Sequence, residues 1–138
     1  MKIVVDTNDF ISALIGKKHR EKLTLILERP DIEIFADNNL LTEITEVAHR
    51  EKFQKYVTPN DIALFLEIVK LRLTLITPTT IVTDSPDPDD NYLLSLALDA
   101  QAEYLITGNK NDLLALSPYR GIKIIRLQPF LDNIQSTE

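Results

Sequence analysis

Apolar and polar positions along this chain follow two alternating rhythms. Ile3-Val4-Val5 is a short, unbroken β-branched run, the pattern of a strand buried on both faces, and it stops abruptly at Asp6-Thr7-Asn8. Similar runs at Ile32 to Phe35, Thr74 to Thr77, Tyr104 to Thr107 and Ile122 to Leu127 predict four more strands. Between them the spacing turns helical. Thr58-Pro59-Asn60-Asp61 reads as an N-cap, a proline at the first helical position and an acid three residues after the cap, ahead of Ile62, Phe65, Leu66, Val69 and Leu73. Asp87-Pro88-Asp89-Asp90 repeats that grammar before Leu93, Leu94, Ala97 and Leu98. Strands too far apart for hairpins and joined by helices make a three-layer α/β/α arrangement, with a mainly parallel sheet of about five strands. Ligands of such sheets gather at the carboxyl ends of the strands.

The chain has 138 residues, enough for one domain spanning 1–138 and one sizeable core. At 44% hydrophobic and 26% charged it has the composition of an ordinary globular protein, and no apolar run approaches the length of a membrane span. The apolar stretch before Asp6 is too short for the core of a signal peptide, so a cytoplasmic location is expected. With no Cys, the chain is without thiolate chemistry and Cys-ligated metals, and two histidines, His19 and His49, are too few for an all-histidine site. A bound metal would take mostly oxygen ligands, which selects Mg²⁺ or Mn²⁺ over zinc or copper. The net charge, 15 − 21 = −6, argues against a nucleic-acid partner unless carboxylates are gathered around a cation.

Where the acids fall is therefore informative. Asp6 ends the first strand, either as a turn and N-cap residue or at the functional edge of the sheet. Glu43 lies in a helix read from Asn39 to Arg50, roughly 100° from the centre of the apolar stripe, whereas Glu46 points to solvent. Asp90 falls within about 20° of the centre of the next helix's stripe, an inward acid at a helix N-terminus. Asp87 reads as the N-cap, and the run Asp84, Asp87, Asp89, Asp90 holds four acids and no base. After the fourth strand, Thr107-Gly108-Asn109-Lys110-Asn111-Asp112 suits a turn into a short helix and brings Asp112 to the same edge. Acids delivered to one edge from separate segments describe an oxygen-ligand metal site for phosphodiester cleavage.

These residues make the sequence resemble the PIN-domain family of nucleases, and within it the VapC-like toxins of toxin–antitoxin pairs. The resemblance runs over nearly the whole chain: Asp6-Thr7-Asn8 after the opening strand, Leu40-Leu41-Thr42-Glu43, Asp87-Pro88-Asp89-Asp90 before Leu93-Leu94-Ser95-Leu96-Ala97, and Tyr104-Leu105-Ile106-Thr107-Gly108-Asn109 with Asp112. It implies a metal-dependent ribonuclease in which Asp6, Glu43 and Asp90 hold Mg²⁺ or Mn²⁺, Asp112 is a more variable fourth acid and Asp87 an auxiliary. Thr107, Asn8 and Asn109 would orient the ligands. It further implies an RNA substrate, an antitoxin protein and a homodimer. Asp9 departs from the family's usual apolar residue, and Asn109 stands where many members have Asp.

Basic residues that could border an RNA path are Lys17, Lys18, Arg20 and Lys22, then Arg50, Lys52 and Lys55, and Lys110, although each is equally readable as a solvated side chain. Tyr56, Tyr92 and Tyr119 could stack on bases or pack at an edge. Two other strand-end-acid folds fit poorly. A haloacid-dehalogenase-like phosphatase needs a second acid where Asn8 stands, and a phospho-receiver needs a lysine after the last strand, where Gln128-Pro129 stands. A PIN-like fold without catalysis, serving as an interaction module, and a solitary RNA-processing nuclease remain as alternatives. The helix from Asp61 to Arg72 carries Leu64, Ile68 and Leu71 beyond the stripe that one core-facing surface needs, and so predicts either a dimer interface or cover by another helix of the same chain.

Overall fold

The structure, a computed structural model, describes residues 1–108 and 110–136, the side chain of Ser136 excepted. Among these residues the first strand, β1 (Lys2–Val5), leads into α1 (Thr7–Ile15) and α2 (Lys17–Leu27). There follow β2 (Glu33–Ala36), α3 (Asn38–Ala48), α4 (Pro59–Arg72) and β3 (Leu73–Leu75). A long irregular strap then reaches a 3₁₀ turn at Pro88–Asp90, α5 (Asn91–Asp99), β4 (Tyr104–Ile106), the short α6 (Asn111–Leu114), β5 (Lys123–Ile125) and α7 (Leu127–Ser136).

As the sequence predicts, five strands form one parallel sheet; their order is β3-β2-β1-β4-β5. β1 is central, and Ile3, Val4 and Val5 are fully buried, which accounts for its unbroken apolar run. From β1 the chain builds outward to β2 and β3, then crosses back to lay β4 and β5 on the other side. The carboxyl ends of β1 and β4 are therefore the point where strand order reverses and a crevice opens. Right-handed crossovers place helices on both faces: α1 packs on α2 and α3, α7 returns to pack on α2, and α5 packs on β1, β2 and β4.

The start of α4 follows its predicted chemistry, whereas the cap of α3 escapes the sequence reading and α6 starts after Lys110 without the expected asparagine cap. Thr58 caps α4 through the Asp61 amide at 3.1 Å, and the Asp61 carboxylate returns the bond to the Thr58 amide at 2.8 Å. Asp37 caps α3 through the amide of Leu40 at 2.8 Å. At the other end of α4, Arg72 donates to the carbonyls of Leu27 (2.6 Å), Arg29 (3.0 Å) and Ile32 (3.4 Å), so the helix runs straight into β3. The third strand accordingly begins at Leu73, one residue earlier than its apolar run suggests. The last strand stops at Ile125 instead of Leu127. Leu127, Phe130, Leu131 and Ile134 recur at helical spacing and are buried together, making Leu127 the first residue of α7.

The strap between β3 and α5 is anchored along its length. Asp99 accepts from the backbone of Thr79 and Thr80 and from the Thr80 hydroxyl. Asp84 accepts from Tyr119 and Arg120, and the Ser85 amide donates to Asn91 at 2.9 Å. Tyr119 is thereby spent on a structural bond.

On α4, Ile62, Leu66 and Val69 face the core, but Leu64, Ile68 and Leu71 are 60%, 58% and 84% exposed. Among the described residues no other helix covers that extra face.

Candidate functional site

Asp6 is fully buried at the reversal point, one residue past β1. Its extended backbone keeps its amide in the sheet, donating to the Ile106 carbonyl at 2.9 Å, while its side chain caps α1 by accepting from the Thr7 amide at 2.7 Å. Parallel pairing sets Val5 opposite Ile106, so Thr107 follows beside Asp6 and its hydroxyl donates to the other carboxylate oxygen at 2.9 Å. Both readings of Asp6, helix cap and strand-end acid, are therefore true of the same residue.

Asp90 closes the 3₁₀ turn and is 4% exposed, the inward acid that the helical count predicts. Asp87 caps that turn by accepting from the Asp89 amide at 3.1 Å and stays at the surface. Between Asp90 and Asp6 lies the ammonium of Lys110, 2.8 Å from Asp90 Oδ1 and 3.8 Å from Asp6 Oδ2. The loop that presents it is braced by Arg126, which donates to the Gly108 carbonyl and the Asn111 side chain, each at 3.2 Å. Lys110 thus stands inside the acid pocket and not simply on its rim.

Glu43 projects half-buried from α3, with Glu46 exposed beyond it. Its carboxylate accepts a hydrogen bond from the phenol of Tyr92 on α5. Glu43 is close enough to Asp6 and Lys110 for its charge to bear on both. Asp112 is exposed on α6 and shares a hollow of about 350 Å³ with Asp87, Asp90, Lys110 and Asn111. Asn8 occupies the first turn of α1. Asn109 lies outside the described residues.

The electrostatics follow from this placement. Burial pushes the Asp6 carboxyl up to about 6, against the pull of Lys110, Thr107 and the Thr7 amide, and Glu43 adds to the rise. Burial also works against the Lys110 ammonium, but Asp90, Asp6 and Glu43 outweigh it and raise its pKa. Among the described residues no three acids or histidines stand close enough to ligate one ion. The donor set nonetheless suits a hard divalent cation: carboxylates from separate junctions face one position, which a lysine ammonium takes up. An ammonium sits about 2.8 Å from its oxygens and a magnesium ion about 2.1 Å, so the acids are spaced for the larger contact.

Two contacts of the site escape the sequence reading. Asp9, on the inner face of α1, pairs with His19 of α2 at 3.0 Å and lies against Gly108. Burial raises its pKa, and its second oxygen has no hydrogen-bond partner among the described residues. The other is Tyr92, whose bond to Glu43 joins α5 to α3. Some basic residues also prove committed elsewhere. Arg20 donates to the carbonyls of Ala13 (3.0 Å) and Leu14 (2.9 Å), closing the end of α1, and Lys52 lies over the Phe53 ring. Lys17, Lys18 and Arg50 are exposed.

A five-stranded parallel sheet with buried acids at its reversal point defines an α/β protein whose site lies at the carboxyl edge of the sheet. The PIN-domain pattern matches residues 2–111, most of the chain, and the chain belongs to that family. The uncharacterised protein MJ1680 of Methanocaldococcus jannaschii is 34% identical over 119 residues, covering 84% of this chain and 75% of its own length. The crystal structure of VapBC2 from Rickettsia felis bound to a DNA fragment from their promoter shares the fold at a TM-score of 0.57. It is 16% identical, over 90% of this chain and 97% of that one.

Proposed function

We propose that this PIN-domain protein is a ribonuclease dependent on Mg²⁺ or Mn²⁺ and that it is the toxin of a toxin–antitoxin pair. The observation that carries the reading is the approach of Asp6 and Asp90, from separate segments, to one cation, the Lys110 ammonium, with Glu43 of α3 near enough for its charge to bear on Asp6 and Lys110. These three acids would hold the divalent ion, with Asp112 and Asp87 on the wall of the adjoining hollow. Bound there, the ion supplies an activated water and a positive field for the charge that develops on phosphate.

The chain's own groups set the stage for that chemistry. The Thr107 hydroxyl and the Thr7 amide each fix one oxygen of Asp6, so the carboxylate cannot rotate away. Asn8, in the first turn of α1, would support the ligands, the role the resemblance also implies for Asn109. Glu43 or Asp112 is the group to accept the water's proton. Lys17, Lys18, Arg50 and Lys110 are the cations for the RNA backbone. Partners follow from the same reading: an antitoxin protein, and a second copy of this chain against the exposed Leu64, Ile68 and Leu71.

Incubation with single-stranded RNA tests the reading. Cleavage is expected in Mg²⁺ or Mn²⁺ and protection in EDTA, and Asp6→Asn is expected to remove most cleavage while leaving the protein folded. A fully active Asp6→Asn protein would refute the assignment.

A further inference from the structure

Glu43 is the least constrained acid of the pocket. Asp6 is gripped by a backbone amide and a threonine hydroxyl, and Asp90 by an ammonium, but Glu43 sits half-buried on a helix face at the end of three rotatable bonds. A carboxylate so placed would spread over several rotamers, and fixing it on an ion would cost that freedom at the moment of binding. Among the described residues the hydrogen bond that holds it comes from the phenol of Tyr92.

Tyr92 is well placed for this. It is the second residue of α5, two positions after Asp90, and its ring packs at the edge of the core, so its own rotamer is fixed by contacts. The bond crosses from α5 to α3, tying together the two helices that deliver Asp90 and Glu43 from opposite sides of β1. The phenol also feels the charge of Asp6, which places it inside the acid pocket. Burial, together with the bond and the charge of Glu43, holds its pKa well above the usual tyrosine range, so the hydroxyl remains a donor.

We propose that Tyr92 is a positioning residue of the metal centre: its hydroxyl grips one oxygen of Glu43 and leaves the other aimed at the position shared with Asp6 and Asp90. The inference rests on the metal-dependent reading above. It differs from a base-stacking role, which would need the ring face free, and from a packing role, which would need only the ring. Groups that orient metal ligands in this way typically contribute 10–100-fold to metal affinity or activity.

Tyr92→Phe keeps the ring and deletes the hydroxyl. The direct measurement is Mn²⁺ binding to the full chain by calorimetry, without RNA, for wild type, Tyr92→Phe, Glu43→Gln and the double variant. Expected are a 10–100-fold weaker Mn²⁺ affinity for Tyr92→Phe, an unchanged melting temperature in EDTA, and little further loss in the double variant relative to Glu43→Gln. In the cleavage assay, raising Mn²⁺ should restore most of the Tyr92→Phe rate with the KM for RNA unchanged. The proposal is overturned if Tyr92→Phe binds Mn²⁺ as wild type does, if the two losses simply add, or if a raised KM for RNA is the main defect. A wild type that binds no Mn²⁺ overturns the metal-dependent reading and this proposal with it. A wild type that binds and cleaves while Tyr92→Phe matches it removes this proposal alone.

Discussion

Replacing Asp6 with asparagine should make the metal-free protein more stable while it removes activity. Asp6 is fully buried, and its carboxyl is pushed up to about 6 from an ordinary 3.8. Below 3.8 the group is protonated in folded and unfolded chains alike, and the stability associated with its neutral form is fully present. As pH rises, the unfolded chain ionises first, so stability drains away until the folded form ionises near pH 6. The whole loss is roughly 3 kcal/mol, and less than about 1 kcal/mol of it has occurred by pH 4. Asparagine keeps the shape, can accept from the Thr7 amide and can turn its amide toward the Thr107 hydroxyl, yet never ionises. Lys110 loses one of its two carboxylate neighbours, which trims the gain. Urea unfolding in EDTA should therefore show the two proteins nearly equal at pH 4 and Asp6→Asn ahead by about 1–3 kcal/mol at pH 8. Adding Mn²⁺ at pH 8 should raise wild type and leave the variant almost unmoved. A gap that does not change with pH, or a variant less stable than wild type at pH 8, would show that burial of this charge is not what the fold pays for.

Lys110→Met should cost the metal-free protein about 2 kcal/mol at pH 8, because Asp6 and Asp90 lose the cation between them, and Mn²⁺ should recover more stability in this variant than in wild type, read by the same unfolding curves. Thr58→Ala removes half of a reciprocal cap and should destabilise by about 1 kcal/mol with cleavage unaffected. Arg72→Met removes a charged donor from three carbonyls, of which that of Arg29 keeps the Ile32 amide, and should cost about 2–4 kcal/mol, seen as an earlier urea midpoint. In sedimentation at micromolar concentration wild type should run as a dimer and Leu64→Asp as a monomer. A monomeric wild type would leave the apolar face of α4 without its expected partner.

The parts of the fold that were legible were those set by local pattern. Ile3-Val4-Val5 could only be a strand buried on both faces, and Thr58-Pro59-Asn60-Asp61 encodes its cap in four consecutive residues. The helical count placed Asp90 inward, Glu43 at the border and Glu46 outside, and each stands there. The misreadings came where two patterns competed. Ile122 to Leu127 is apolar enough for a long strand, but Leu127 also opens the series completed by Phe130, Leu131 and Ile134, and burying that series as a helix takes Leu127 out of the sheet. What could not be read was which side chains meet across elements. Asp9 is visible in the sequence as an acid where the resemblance expects an apolar residue, but its partner His19 comes from the next helix. Tyr92 looked like an edge aromatic because its bond to Glu43 spans 49 positions. Lys110 looked like a rim lysine because nothing local says that its loop turns the ammonium inward. Arg20 appeared free because a capping role depends on where α1 ends.

The crossing from β3 back to β4 has a consequence for how activity arises during synthesis. β1 is made well before β4, the strand on one of its sides, and two of the groups that hold Asp6, Thr107 and Lys110, come later still, Thr107 being 101 positions further along. A nascent chain that stops short of β4 has β1, β2 and β3 and can align Glu43, yet Asp6 is left at an open sheet edge with no hydroxyl beside it and no cation opposite. Long-range parallel pairing of this kind forms late, after the loop between the strands has closed. Assembly of the acid pocket is thereby tied to the synthesis of β4 and the loop after it, and a fragment carrying Asp6, Glu43 and even Asp90 holds the acids without the groups that set them. For a protein whose proposed substrate is RNA, made in the immediate presence of its own messenger, the order of strands in the sheet acts as a timer.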